Sequence, residues 1–141
     1  MNTIGIRSFD STVQTTNIWL RELMDEMGWQ DRHRAYYALR VVLHTLRDRL
    51  TPDEAVDLAA QLPMLVRGFY YEGWRPSASP AKDRKRRDFL AHVAEAYRDE
   101  PETDVEKVVR AVFGVLSRHV TAGEIKDVKC MLPSEVRTLW P

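Results

Sequence analysis

Slid against itself by 70 residues, the chain matches without a gap, and this duplication limits the folds open to it more than any other feature. Residues 40–70 (RVVLHTLRDRLTPDEAVDLAAQLPMLVRGFY) lie over residues 110–140 (RAVFGVLSRHVTAGEIKDVKCMLPSEVRTLW). Ten positions are identical: Arg40/Arg110, Val42/Val112, Leu46/Leu116, Thr51/Thr121, Glu54/Glu124, Asp57/Asp127, Leu62/Leu132, Pro63/Pro133, Val66/Val136 and Arg67/Arg137. Other pairs keep their polarity, among them Leu43/Phe113, Leu58/Val128 and Tyr70/Trp140. Upstream the hydrophobic register persists, with Trp19-Leu20 over Phe89-Leu90 and Leu23 over Val93.

Each copy reads as four helices. In the first, Ile18, Trp19, Leu23 and Met27 stand at helical spacing, from a start near Ser11 to a stop at Gly28. A second helix from about Asp31 to Arg49 carries its apolar stripe on Ala35, Leu39, Val42, Leu43 and Leu46. The third opens with Thr51-Pro52-Asp53-Glu54, a capping box with proline at the first helical position, and Thr121-Ala122-Gly123-Glu124 repeats it. In such a box Thr51 accepts from the Glu54 amide and Glu54 reaches back, so both glutamates are expected to serve as caps. Pro63 and Pro133 break the third helix and start a fourth. No segment alternates as a strand would. The expected fold is all-α: two tandem four-helix repeats, about eight helices, related by a pseudo-twofold and packed as one compact unit. The first repeat spans 9–74, a Pro/Ser-rich linker 75–81, and the second repeat 82–141.

The segments ALRVVLHTLRDRL and QLPMLVRGFYYEGW, with their partners RAVFGVLSRHVTAGE and LPSEVRTLWP, resemble an uncharacterised bacterial family, domain of unknown function 2267. The resemblance runs from about Phe9 to Pro141. It implies a bacterial, intracellular, all-helical protein and brings no activity, cofactor or site residue with it.

Charge and composition narrow the function. Lys plus Arg number 21 and Asp plus Glu 21, a balance that disfavours wrapping of nucleic acid. No apolar run approaches the roughly 20 residues of a membrane span. Met1-Asn2-Thr3-Ile4-Gly5-Ile6-Arg7 lacks the form of a signal peptide, so a cytoplasmic setting without membrane attachment is expected. The lone cysteine, Cys130, aligns with Ala60 and reads as a small buried hydrophobe. His33, His44, His92 and His119 share no metal-ligand spacing, and no nucleophile motif or glycine-rich phosphate loop occurs. The expectation is no catalytic residue, no cofactor and no metal.

Two groups of residues remain. Asp57 with Arg67, and Asp127 with Arg137, are duplicated in register and are expected to form an ion pair within each copy. Tyr71 and Trp74 stand beside the run Lys82-Asp83-Arg84-Lys85-Arg86-Arg87, whose positive charge opposes the dipole of a helix starting there. Tyr71, Trp74, Arg84, Lys85, Arg86 and Arg87 are therefore the expected partner-binding residues, since aromatic and arginine side chains concentrate at protein interfaces. The function expected is that of an interaction or adaptor module, binding another protein or itself as a homodimer. The alternative is a sensor of a small molecule or stress signal with a pocket between the repeats, and nucleic-acid binding through 82–87 ranks below both.

Overall fold

A computed structural model describes residues 5–141; Met1–Ile4, read above for a leader, lie outside the described residues. Eight α-helices follow one another: α1 (Arg7–Met27), α2 (Arg32–Arg47), α3 (Pro52–Ala59), α4 (Met64–Tyr71), α5 (Arg86–Glu95), α6 (Val105–His119), α7 (Ala122–Met131) and α8 (Ser134–Arg137). A single 3-10 turn, Pro76–Ala78, sits between α4 and α5. The described residues contain no strand, and the fold is all-α.

Local chemistry sets the helix ends. Asp31 caps α2 by accepting from the His33 amide at 2.9 Å. Thr51 and Thr121 accept from the amides of Glu54 and Glu124, each at 3.3 Å, on nearly identical backbone. Pro63 and Pro133 open α4 and α8 with ψ of 148° and 147°. Gly28 ends α1 in the left-handed region at φ +70°, which glycine adopts without steric cost. Helix α1 begins a turn before Ser11, because nothing upstream breaks it and Asp10 in its first turn favours the dipole.

The core is built on α2 and α6. Ala35, Ala38, Leu39, Val42, Leu43 and Leu46 from α2 are buried, as are Val108, Val109, Val112, Phe113, Val115 and Leu116 from α6. Helix α2 packs on α6; α1 lies against both, and so does α5. Helix α3 packs on α7, α4 on α1 and α2, and α8 on α5. Contacts between the halves come in matched sets: α1 with α6 answers α5 with α2, while α2–α6 and α3–α7 each join a helix to its own counterpart.

The arginines do something the sequence reading did not anticipate. Arg67 does not pair with Asp57, nor Arg137 with Asp127. Arg67 donates to the carbonyls of Ala59 (2.9 Å) and Leu62 (3.1 Å), and Arg137 to that of Leu132 (3.2 Å). A helix leaves its last carbonyls without internal partners, and an arginine from the next helix supplies both hydrogen bonds and opposite charge. The aspartates are exposed on α3 and α7 and take no part in this arrangement. Arg47 plays the same part for α4, donating to Tyr70 O at 2.6 Å and Glu72 O at 2.8 Å while itself buried. His44 bonds the neighbouring Phe69 carbonyl at 2.6 Å, and burial holds its imidazole below the ordinary range. Arg49, also buried, forks onto Asp83 at 2.6 and 2.9 Å, and Ala81 donates to Asp48 O at 2.7 Å, so the segment joining the halves is tied to α2. Cys130 is exposed rather than buried, because α7 buries only Val128 and the position faces outward, as does Ala60 in the first half.

Replacing Arg67 by Ala removes its bonds to the part-buried Ala59 and Leu62 carbonyls, of which Ala59 O keeps the Leu62 amide, and is expected to lower unfolding free energy by about 1–3 kcal/mol. Asp57→Asn, by contrast, stays within about 0.5 kcal/mol of the parent. Equal losses in the two variants, read by denaturant unfolding, would restore the ion pair.

Candidate functional site

The expected partner-binding residues do not form one free surface. Tyr71 and Trp74 are half-buried against the core and stack on each other at 5.5 Å, with the Trp74 indole N–H reaching Ser79 Oγ at 3.4 Å. Arg86 pairs with Glu106 of α6 and donates to Thr138 Oγ1 at 3.2 Å, and Lys85 pairs with Glu135 of α8 at 3.5 Å. Arg84 and Arg87 are exposed. Much of the basic run is thus answered within its own half.

A groove of about 680 Å³ lies instead within the first half, between α1 and α4 with Tyr36 of α2 at its base. Its walls are Phe9, Val13 and Leu20 on one side and Met64, Leu65 and Phe69 on the other. Phe9 is 55% exposed and Leu65 44%, so the groove is open along its length. Thr12 ties the two helices together at one end by accepting from the Leu65 amide at 2.9 Å. Thr16, 4% exposed, also lines it, and its hydroxyl oxygen is buried without a hydrogen-bond partner. Glycine in a helix interior costs about 1 kcal/mol against alanine. Gly68, inside α4, needs no positive φ, and an added Cβ would meet nothing within 4 Å. No packing inside the chain requires that glycine; what it does is keep the α4 wall low.

The second half treats its equivalent seam differently. Under the 70-residue offset Thr16 becomes Arg86, Tyr36 becomes Glu106, Leu65 becomes Glu135 and Gly68 becomes Thr138. These replacements are the ones that pair: Arg86 with Glu106 and Thr138, Glu135 with Lys85. Between α5 and α8 charged side chains lie across the seam where α1 and α4 leave apolar surface bare. The sequence signal was present in this local departure from the repeat, at positions outside the ten identities.

The fold also joins two residues that the sequence reading assigned only to caps. Glu54 and Glu124 come close where α3 packs on α7, near enough for the Glu54 carboxyl to disfavour ionisation of Glu124. Both Oε2 atoms are buried without a hydrogen-bond partner and the Thr121 amide donates to Gln61 instead, so the glutamates do not reach back as a capping box would. Burial, then the facing Glu54 carboxyl, then Asp57 and Asp127 push the Glu124 carboxyl up to about 8. Like-charged carboxyls in contact cannot both ionise cheaply.

The model of the family described as "Uncharacterized conserved protein (DUF2267)" matches residues 16–139. The chain belongs to this family. No curated protein matches it. The match takes in both halves, the α3–α7 seam and all of the groove except Phe9, Thr12 and Val13. Among the described residues no helix is long and apolar enough to cross a membrane, and no group of His, Cys, Asp and Glu is arranged to hold a metal ion.

The raised Glu124 carboxyl has a sign. In the native state Glu124 keeps its proton to a higher pH than in the unfolded chain, where a glutamate has its ordinary value near 4.5. Its contribution to stability is complete below that value and is lost as pH rises towards 8. The unfolding midpoint is expected to fall across this window, and Glu124→Gln, which cannot ionise, is expected to flatten the fall. A midpoint that rises with pH through the window would show that Glu124 does not keep its proton to this higher pH.

Proposed function

We propose that this chain is a protein-interaction module rather than an enzyme, acting in the cytoplasm, and that the groove between α1 and α4 takes an amphipathic helix. Gly68 carries the reading: an interior helix glycine with no internal reason, placed where any side chain would enter the groove. The occupant is a helix because of the shape and lining. Small-molecule sites bury most of their ligand's surface, whereas this groove has exposed walls. Two walls of Phe, Val, Leu and Met suit a third helix that lays residues i, i+3 and i+7 between them. The lining is mostly apolar; its polar groups are the Thr12, Thr16 and Tyr36 hydroxyls, the Asn17 amide and the Glu72 carboxylate, which is paired with Arg40, a set that suits holding a partner. An exposed, unpaired cysteine fits a reducing compartment.

A fluorescein-labelled helical peptide with leucines at i, i+3 and i+7 is the probe, and fluorescence polarisation the readout. The parent chain is expected to bind it, and Gly68→Leu to weaken binding by at least about tenfold, or 1.4 kcal/mol. Gly68→Ala is expected to raise stability by about 0.5–1 kcal/mol, showing that the position serves binding at the expense of the fold. Equal affinity in parent and Gly68→Leu would refute the groove as the site.

A further inference from the structure

We infer that the helix received by this groove is α1 of a second copy, so that the chain forms a twofold dimer through α1 and α4. The inference rests on the groove reading above. Nine large hydrophobic residues are exposed among the described residues, and four of them, Phe9, Val13, Met64 and Leu65, line the groove. With the exposed N-cap Ile6, Phe9 and Val13 of α1 stand three and four residues apart, the spacing of the face an amphipathic helix presents to a partner. The chain thus carries both the groove and a helix of the kind that fits it, and Phe9 and Val13 belong to both. A surface that is wall and ridge at once is self-complementary, as a twofold interface must be.

Charge agrees with an antiparallel register. Arg7 and Asp10 are exposed in the first turn of α1, and neither forms an ion pair among the described residues. Two α1 helices crossing antiparallel near Phe9 bring Arg7 of each within reach of Asp10 on the other. The net charge of zero leaves no overall repulsion between copies. The second half offers no rival surface of this kind, since its equivalent seam is crossed by Arg86, Glu106, Lys85 and Glu135.

Sedimentation equilibrium of the full chain, from micromolar to submillimolar concentration, tests this. The parent is expected to approach twice its 16.4 kDa with concentration. Phe9→Glu and Gly68→Leu, both at positions with room around them, are each expected to raise the dimer dissociation constant by at least about 30-fold. Arg7→Glu and Asp10→Arg are each expected to weaken the dimer, and the two together to restore it, a rescue that damage to the monomer fold would not produce. A parent that stays monomeric throughout, a dimer indifferent to Phe9→Glu and Gly68→Leu, or a double charge swap that fails to rescue would overturn the inference. A monomeric parent that still binds the helical peptide through Gly68 sinks the second copy alone. A monomeric parent that binds no peptide sinks the groove reading with it.

Discussion

Helices α2 and α6 lie against each other with their apolar stripes wholly buried, and between them they touch α1, α4, α5 and α7. That pairing decides where everything else can go. Because α2 and α6 are themselves counterparts in the duplicated sequence, any helix that packs on one finds an equivalent place on the other. The shorter helices gain little stability alone, since isolated helices of fewer than about 12 residues are marginal in water. They persist because the central pair gives each of them an apolar face to cover.

Short helices bring a second requirement. Every helix ends in carbonyls without internal partners, and a fold of eight helices in 137 described residues has many such ends near its interior. Arg47, Arg67 and Arg137 answer them with guanidinium donors reaching from an adjacent helix. The same physics explains why Arg67 and Arg137 recur in register without an acidic partner. It also places a buried charge, Arg47, on a helix face that periodicity alone would give to solvent.

Much of the architecture was legible from residue order. The threonine caps, the Leu-Pro breaks and Gly28 have local causes, and the structure places helix ends at each. What stayed hidden were relations between distant segments. Aligning the sequence with itself sets Glu54 over Glu124 as equivalents but does not say that α3 packs on α7, which brings the two residues near each other. Asp57 and Arg67 were paired because opposite charges duplicated together suggest mutual contact, yet a helix terminus is an equally good counter-charge. The groove was missed because identities drew attention, whereas the informative positions were the unlike ones: Gly68 against Thr138, Leu65 against Glu135, Thr16 against Arg86. Reading where a repeat departs from itself, on faces its own partner half covers with charge, would have found it.

The two halves therefore share a scaffold and differ in one exposed seam, charged in the second and apolar in the first. The most direct measurement of that difference gives α4 the wall that α8 has, by combining Leu65→Glu with Gly68→Thr, and follows the fluorescence of 1-anilinonaphthalene-8-sulfonate added to the folded chain. The parent is expected to enhance the dye's emission and the double variant, with its melting midpoint retained, to lose most of that enhancement. Equal enhancement by the two chains would mean that the seam between α1 and α4 is not the exposed apolar surface of this fold.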